Sequence, residues 1–266
     1  MKIALLLTGQ LRTVDLVKYL HFNTIISKYD TDVFLSIDMN NKYQTEFKNS
    51  TNDTNLAKAN EIISFFKPVK YFISENFKNE SDRLSTTEHK IFVKKYIGIY
   101  AQYYIVNKAY EILKEHIEEN NINYDLVIRL RFDQYIMHSN NIFDILDKTR
   151  TNSIIYNNKN IDIIKNNTTN IKMPFYQPIE NDVYVLGFGI YTHFNYVNDQ
   201  FFYHNSEQIN NFLNFYPNLN QYIDIAVNKE GNVGMCIYEH VFYHFLKSFN
   251  FSVKKADLDS QFIREF

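Results

Sequence analysis

The sequence predicts an α/β protein: a mainly parallel, twisted sheet flanked by helices. Three observations carry that reading. Short apolar, β-branched runs end at polar residues, amphipathic helical patterns separate them, and the 266-residue chain is 45% hydrophobic. Residues 2–7 form the first apolar run, and Thr8-Gly9-Gln10-Leu11-Arg12-Thr13 is the turn that ends it. Gly9 permits a tight bend there, and Thr13 or Asp15 is placed to cap a helix over 16–28. Residues 32–38, DVFLSID, make a second strand that finishes in Asp38, and 39–55 is a polar, Asn-rich loop. A helix over 56–66 stops before Pro68, a third strand covers 69–73, and 75–88 is a polar connector.

The longest helical pattern is 90–120, with Phe92, Tyr96, Ile99, Tyr103, Val106, Tyr110 and Leu113 recurring on one face. Asn120-Asn121 ends it, and a strand over 125–130 follows. The order is thus β-α-β-α-β-α-β, which winds a parallel sheet with right-handed crossovers. Beyond residue 139 the pattern changes to a short helix or turn at 140–147, a possible strand at 154–156 and an Asn-rich loop at 157–172. Aromatic segments then occupy 182–191 and 196–203, the first a strand. Helices are expected over 206–216 and 238–249, and a last strand over 251–254. No Pro/Gly-rich linker and no repeat divides the chain. Residues 1–266 read as one domain, with a first half, 1–138, and a second half, 139–266, that completes a cleft over it.

Composition excludes several classes. A net charge of −2 argues against a basic nucleic-acid-binding face. The six glycines form neither GxGxxG nor GxxxxGK[ST], so phosphate-loop chemistry has no motif here. The core must be aromatic, with 21 Tyr, 23 Phe and no Trp. The single cysteine, Cys236, forms no intrachain disulfide and reads as a core residue. Residues 3–7 are too short for a signal-peptide core, and no stretch is long enough to span a membrane, so a soluble cytoplasmic protein is expected. The sequons at Asn49, Asn52, Asn79, Asn166 and Asn167 then follow from Asn richness.

The polar residues that end the strands are the candidates for chemistry. They are Gln10 and Arg12 after the first, Asp38 after the second, Glu75 less clearly after the third, and Arg129, Arg131 and Asp133 at the fourth. In a parallel sheet these ends lie along one edge, where ligands collect. The 124–136 stretch, YDLVIRLRFDQYI, is the centre of that convergence, set against the simpler reading of an Arg–Asp surface pair. His240 and His244 stand four apart on a helix, but no third ligand follows at zinc spacing, so they read as ordinary core or surface histidines. Phe201-Phe202-Tyr203 reads as core rather than a platform for sugar stacking.

Several of these motifs together resemble GT-A-fold glycosyltransferases of bacterial capsule and lipopolysaccharide clusters and of large DNA viruses. The resemblance is carried by ALLLTGQLRT, DVFLSID, Tyr100-Ala101-Gln102-Tyr103-Tyr104 and YDLVIRLRFD. It continues in Tyr196-Val197-Asn198-Asp199-Gln200-Phe201, Asn205-Ser206 and Tyr238-Glu239. It implies a transferase that takes a UDP- or GDP-linked sugar and passes it to a glycan or another hydroxyl acceptor. The first half would hold the donor and the second the acceptor. It places nucleotide contacts at Thr8, Gly9, Gln10 and Arg12. The family's D-x-D metal motif aligns with Arg131-Phe132-Asp133, which keeps only the second carboxylate. Asp133 would then hold Mn²⁺ or Mg²⁺, or Arg131 would supply the positive charge directly.

Among these residues Arg12, Arg129 and Arg131 suit the diphosphate, and Asp38 suits a ribose hydroxyl. Asp199 is the first candidate for the base that takes the acceptor's proton in an inverting reaction, or a group that positions the acceptor in a retaining one. Glu239 is the second, against a simpler role in complementing the helix dipole. Two other functions fit the same pattern. One is a nucleotide- or carbohydrate-binding protein without turnover, suggested by Arg131; the other is a nucleotidyltransferase, which would need a carboxylate pair such as Asp38 with Asp133.

Overall fold

The computed structural model describes residues 1–11, 14–39, 56–74, 80, 96–137, 154–155, 172–191, 194–229 and 237–264. Expectations that fall on Arg12, Thr13, Glu75, Phe92, Cys236, the five sequons and most of the loops at 39–55 and 157–172 lie outside those residues.

The chain is α/β. Its main sheet has seven strands: β1 (Lys2–Gly9), β2 (Asp30–Asp38), β3 (Lys70–Ser74), β4 (Leu126–Arg131), β7 (Asp182–Val185), β10 (Phe201–His204) and β11 (Ser252–Lys255), in the order β11-β7-β10-β4-β1-β2-β3. β1 pairs in parallel with β2 and β4, β2 with β3, and β7 with β11, while β10 runs antiparallel between β4 and β7. The expected parallel four-strand half is therefore present. β1 and β4 are buried along almost their full length, which explains their unbroken apolar runs.

Helices cover both faces. α1 (Val14–His21) and α2 (Leu56–Phe66) place Val14, Val17, Leu20, Ala59, Ile62 and Phe66 in one cluster with Leu5, Leu7, Leu35, Ile37 and Ile128. On the other face lies α3 (Ile97–Asn120), whose Ile99, Tyr103, Val106, Tyr110 and Leu113 pack on Ala4, Leu6, Phe34 and Val127. Asn121 ends α3 in the left-handed region at φ 52, a conformation that Asn tolerates. The helix is described from Ile97, and residues 90–95 of the expected pattern lie outside the described residues; α1 is shorter than 16–28 because Phe22–Ile26 winds as a π-helical turn.

The second half adds β5 (Gln134–Met137), β6 (Ile154–Ile155) and β12 (Asp259–Arg264) as a small sheet, and β8 (Phe188–Tyr191) with β9 (Phe194–Val197) as a hairpin. The expected 206–216 helix is broken into a 3₁₀ turn, α4 (Ile209–Leu213) and a second 3₁₀ turn at Pro217, followed by α5 (Leu219–Asp224). α6 (Ile237–Ser248) lies against β9, and its Phe242 and Phe245 join Phe202, Phe212 and Phe215 in an aromatic core. Phe201, Phe202 and Tyr203 are all buried, which makes them core residues as expected. No helix among the described residues is long and apolar enough to cross a membrane.

Gly9 ends β1 at φ +110, where side-chain-bearing residues are strained, and a Cβ there would meet nothing within 4 Å. The glycine is thus required by backbone conformation and leaves open space in front of the turn. Gly9→Ala is expected to lower unfolding free energy by about 1–3 kcal/mol, read from the denaturation midpoint.

Candidate functional site

The strand order β3-β2-β1-β4 contains a reversal. The chain steps outward from β1 to β3 and then returns to β4 on the other side of β1. Open α/β sheets form a ligand crevice beyond the carboxyl ends at such a point. Alternation along the strands puts Thr8, Ser36, Asp38, Arg129 and Arg131 on the α3 face at that edge, and the register sets Thr8 beside both Ser36 and Arg131.

Arg129 is the anchor of the cluster, only 2% exposed. Its Nε donates to Thr8 Oγ1 at 3.1 Å, and its Nη1 donates to the main-chain carbonyl of Asp199. Burial lowers its pKa to about 10, with Asp199 opposing that shift and Arg131 adding to it, so it stays charged at neutral pH. Asp199 arrives on the β9–β10 turn, where Gln200 N donates to Asn198 Oδ1 at 3.2 Å in an Asx-type turn. Its Oδ2 accepts from Gln102 Nε2 and, at 2.9 Å, from Tyr103 OH. Burial raises the Asp199 pKa, while Arg129, Tyr103 and Arg131 pull it back.

Glu239 lies in the first turn of α6 and behaves differently. Its Oε2 is buried and has no hydrogen-bond partner among the described residues. Burial first and the Asp199 charge second push its pKa up to about 7. A carboxylate in a helix's first turn is normally favoured in its ionised form. Here desolvation and a like charge outweigh that effect, the combination that poises a general base at neutral pH. Asp199 and Glu239 were both expected as catalytic candidates, and the structure brings them together. Asp199 is committed to α3, whereas Glu239 has a buried oxygen without a partner among the described residues.

Arg131 and Asp133 form a bidentate pair, with Nε to Oδ1 and Nη2 to Oδ2 both at 2.8 Å. The Asp133 charge overcomes the cost of burial and raises the Arg131 pKa further. The Arg131 side chain is 26% exposed, against 10% for Asp133, so Arg131 is the more exposed member of the pair. Gln10 Nε2 contacts Asp38 Oδ2 at 3.4 Å, which places the two expected nucleotide contacts beside each other. Arg12 lies outside the described residues.

These donors do not fit a divalent metal centre. Among the described residues no group of three or more His, Cys, Asp or Glu side chains is arranged to hold one. Both Asp133 oxygens accept from Arg131, whose charge stands where a cation would have to enter. At about 4 Å and an effective dielectric of about 20, a divalent ion and a guanidinium repel by roughly 8 kcal/mol. His240 and His244 are buried and face each other at 3.3 Å between Nε2 atoms, as core histidines.

Gln102 and Tyr103 were not identified as site residues from the sequence. The available signal was Tyr103 on the buried stripe of α3, since a buried tyrosine hydroxyl needs a partner. A cavity of about 240 Å³ lies at the opposite edge of the sheet, lined by Lys114, Ile117, Glu118 and Ser206 among others. It holds no comparable cluster of charged, buried groups. In comparisons with known proteins, the chain matches no family model and no curated sequence.

Proposed function

We propose that this chain is a glycosyltransferase of GT-A-like fold. It takes a UDP- or GDP-linked sugar at the crevice between β1 and β4 and transfers the sugar to a hydroxyl of a glycan or similar acceptor. The observation that carries this reading is the grouping of Arg129 and Arg131 with Thr8 at the point where the strand order reverses, with Arg129 tied to Asp199, whose charge helps to poise Glu239 near neutrality. Positive charge at the strand ends suits a diphosphate; a carboxylate oxygen without a partner among the described residues suits an acceptor hydroxyl.

In the proposed reaction Glu239 takes the proton of the acceptor O–H as its oxygen forms a bond to the anomeric carbon. The bond from that carbon to the diphosphate oxygen breaks, and its electron pair leaves with the nucleoside diphosphate. Negative charge therefore grows on the diphosphate in the transition state, where pre-placed guanidinium groups stabilise it most. Asp199 keeps Glu239 basic by its charge and positions α3 against the turn. The anomeric configuration inverts, because one displacement occurs.

The test is product identity, with UDP- and GDP-sugars and a panel of glycan acceptors. Release of nucleoside diphosphate is expected. Pyrophosphate released from a nucleoside triphosphate and a sugar 1-phosphate, with no turnover of the sugar donors, would instead assign a nucleotidyltransferase, and nucleotide binding without any product would assign a ligand-binding protein.

A further inference from the structure

The Arg131–Asp133 pair has a feature that a plain ion pair at a surface turn lacks. It sits at the end of β4 in register with Thr8, beside the buried Arg129, with Arg131 as its more exposed member. Two guanidinium groups two residues apart on one strand repel each other, and the Arg131 charge contributes to lowering the Arg129 pKa. Asp133 balances that repulsion by holding Arg131 through two parallel bonds.

We propose that the donor's diphosphate is held by Arg131 without a divalent metal, and that Asp133 acts as an internal stand-in for the phosphate. In the ligand-free protein the carboxylate occupies the same planar fork that a phosphate oxygen pair would use. When the diphosphate binds, it takes over the fork, and the Asp133 carboxylate yields part of its contact. Asp133 is thus a competitor of the ligand and a positioning residue, and it ligates no cation. Arg129, tied to Thr8 and to the Asp199 main chain, keeps the local potential positive while Arg131 makes the contact. This inference rests on the reading of the crevice as a diphosphate site, and it names what neutralises that diphosphate.

The experiment is calorimetric titration of UDP and GDP into the full chain, once with excess chelator and once with Mn²⁺, for wild type, Asp133→Asn and Arg131→Ala. One nucleotide is expected to bind equally well in both buffers. Asp133→Asn is expected to bind it about two- to fivefold more tightly in chelator, because the competing ion pair is weakened. Arg131→Ala is expected to bind on the order of 10- to 100-fold more weakly in either buffer. Circular dichroism and the unfolding midpoint of each variant confirm that it is folded before titration. Binding that requires Mn²⁺ and disappears in Asp133→Asn would overturn the arginine assignment while leaving the transferase reading in place. No binding in either buffer by folded wild type would overturn both.

Discussion

Replacing Glu239 by Gln is expected to reduce turnover by about 10²–10⁴-fold, the usual contribution of a general base, while leaving nucleotide binding close to wild type. The same substitution should stabilise the protein at alkaline pH. Glu239 has a folded-state pKa raised from 4.5 to about 7 by burial and by Asp199, so the folded protein holds a proton that the unfolded chain has released across that interval. Stability therefore falls as pH rises from 4.5 through about 7, and the penalty is complete above it. Allowing for partial exposure of the side chain, the penalty is on the order of 2 kcal/mol. The Gln variant avoids it. Its unfolding midpoint should exceed that of wild type at pH 8, and the difference should vanish near pH 4. In the wild-type pH–rate profile, kcat/KM should rise through about pH 7 as Glu239 ionises. A Gln variant with unchanged turnover, or one equally stable at both pH values, would contradict the role given to this carboxylate.

Replacing Arg129 by Met is expected to produce the largest loss of stability, about 3–5 kcal/mol. Its side chain is fully enclosed, and Met fills much of the same volume. The loss comes from what is left behind. The Asp199 main-chain carbonyl and Thr8 Oγ1 lose their donor, and the Asp199 carboxylate loses the charge that offsets its burial. The effect should show in urea denaturation as a lower midpoint with an unchanged slope. Asp199→Asn in the Arg129→Met background should recover part of the loss, since it removes the unbalanced charge; no recovery would mean that the two residues are not coupled.

The first half of the fold was legible because it obeys local rules. Each of β1, β2, β3 and β4 is a short apolar run ended by a polar residue, and α2 occupies the stretch that Pro68 closes. Parallel pairing follows from the alternation of strands with helices. The second half was less legible for physical reasons. β10 is antiparallel between two parallel neighbours, and its partners lie far away in sequence, so no local pattern announces the pairing. β5 and β12 pair across nearly half the chain, and α5 follows a 3₁₀ turn instead of a clear stop signal.

The site shows the same division. Arg129, Arg131 and Asp133 were readable because they end a strand, and Asp38 and Gln10 for the same reason. The contacts of Asp199 with Gln102 and Tyr103 join residues nearly a hundred apart, which only tertiary packing specifies. The distinction between Asp199 and Glu239 was also invisible, because it depends on which carboxylate finds hydrogen-bond partners and which is desolvated without one.

The nucleotide-sugar is proposed to bind at the carboxyl edge of β1 and β4. Hydrogen–deuterium exchange with and without saturating UDP- and GDP-linked sugars tests it most directly. The expected result is slower exchange confined to residues 8–11, 36–39 and 129–134, with a smaller effect at 237–240. Protection centred on residues 114–123 and 206–210, around the cavity at the opposite edge, or no protection with any donor, would contradict it.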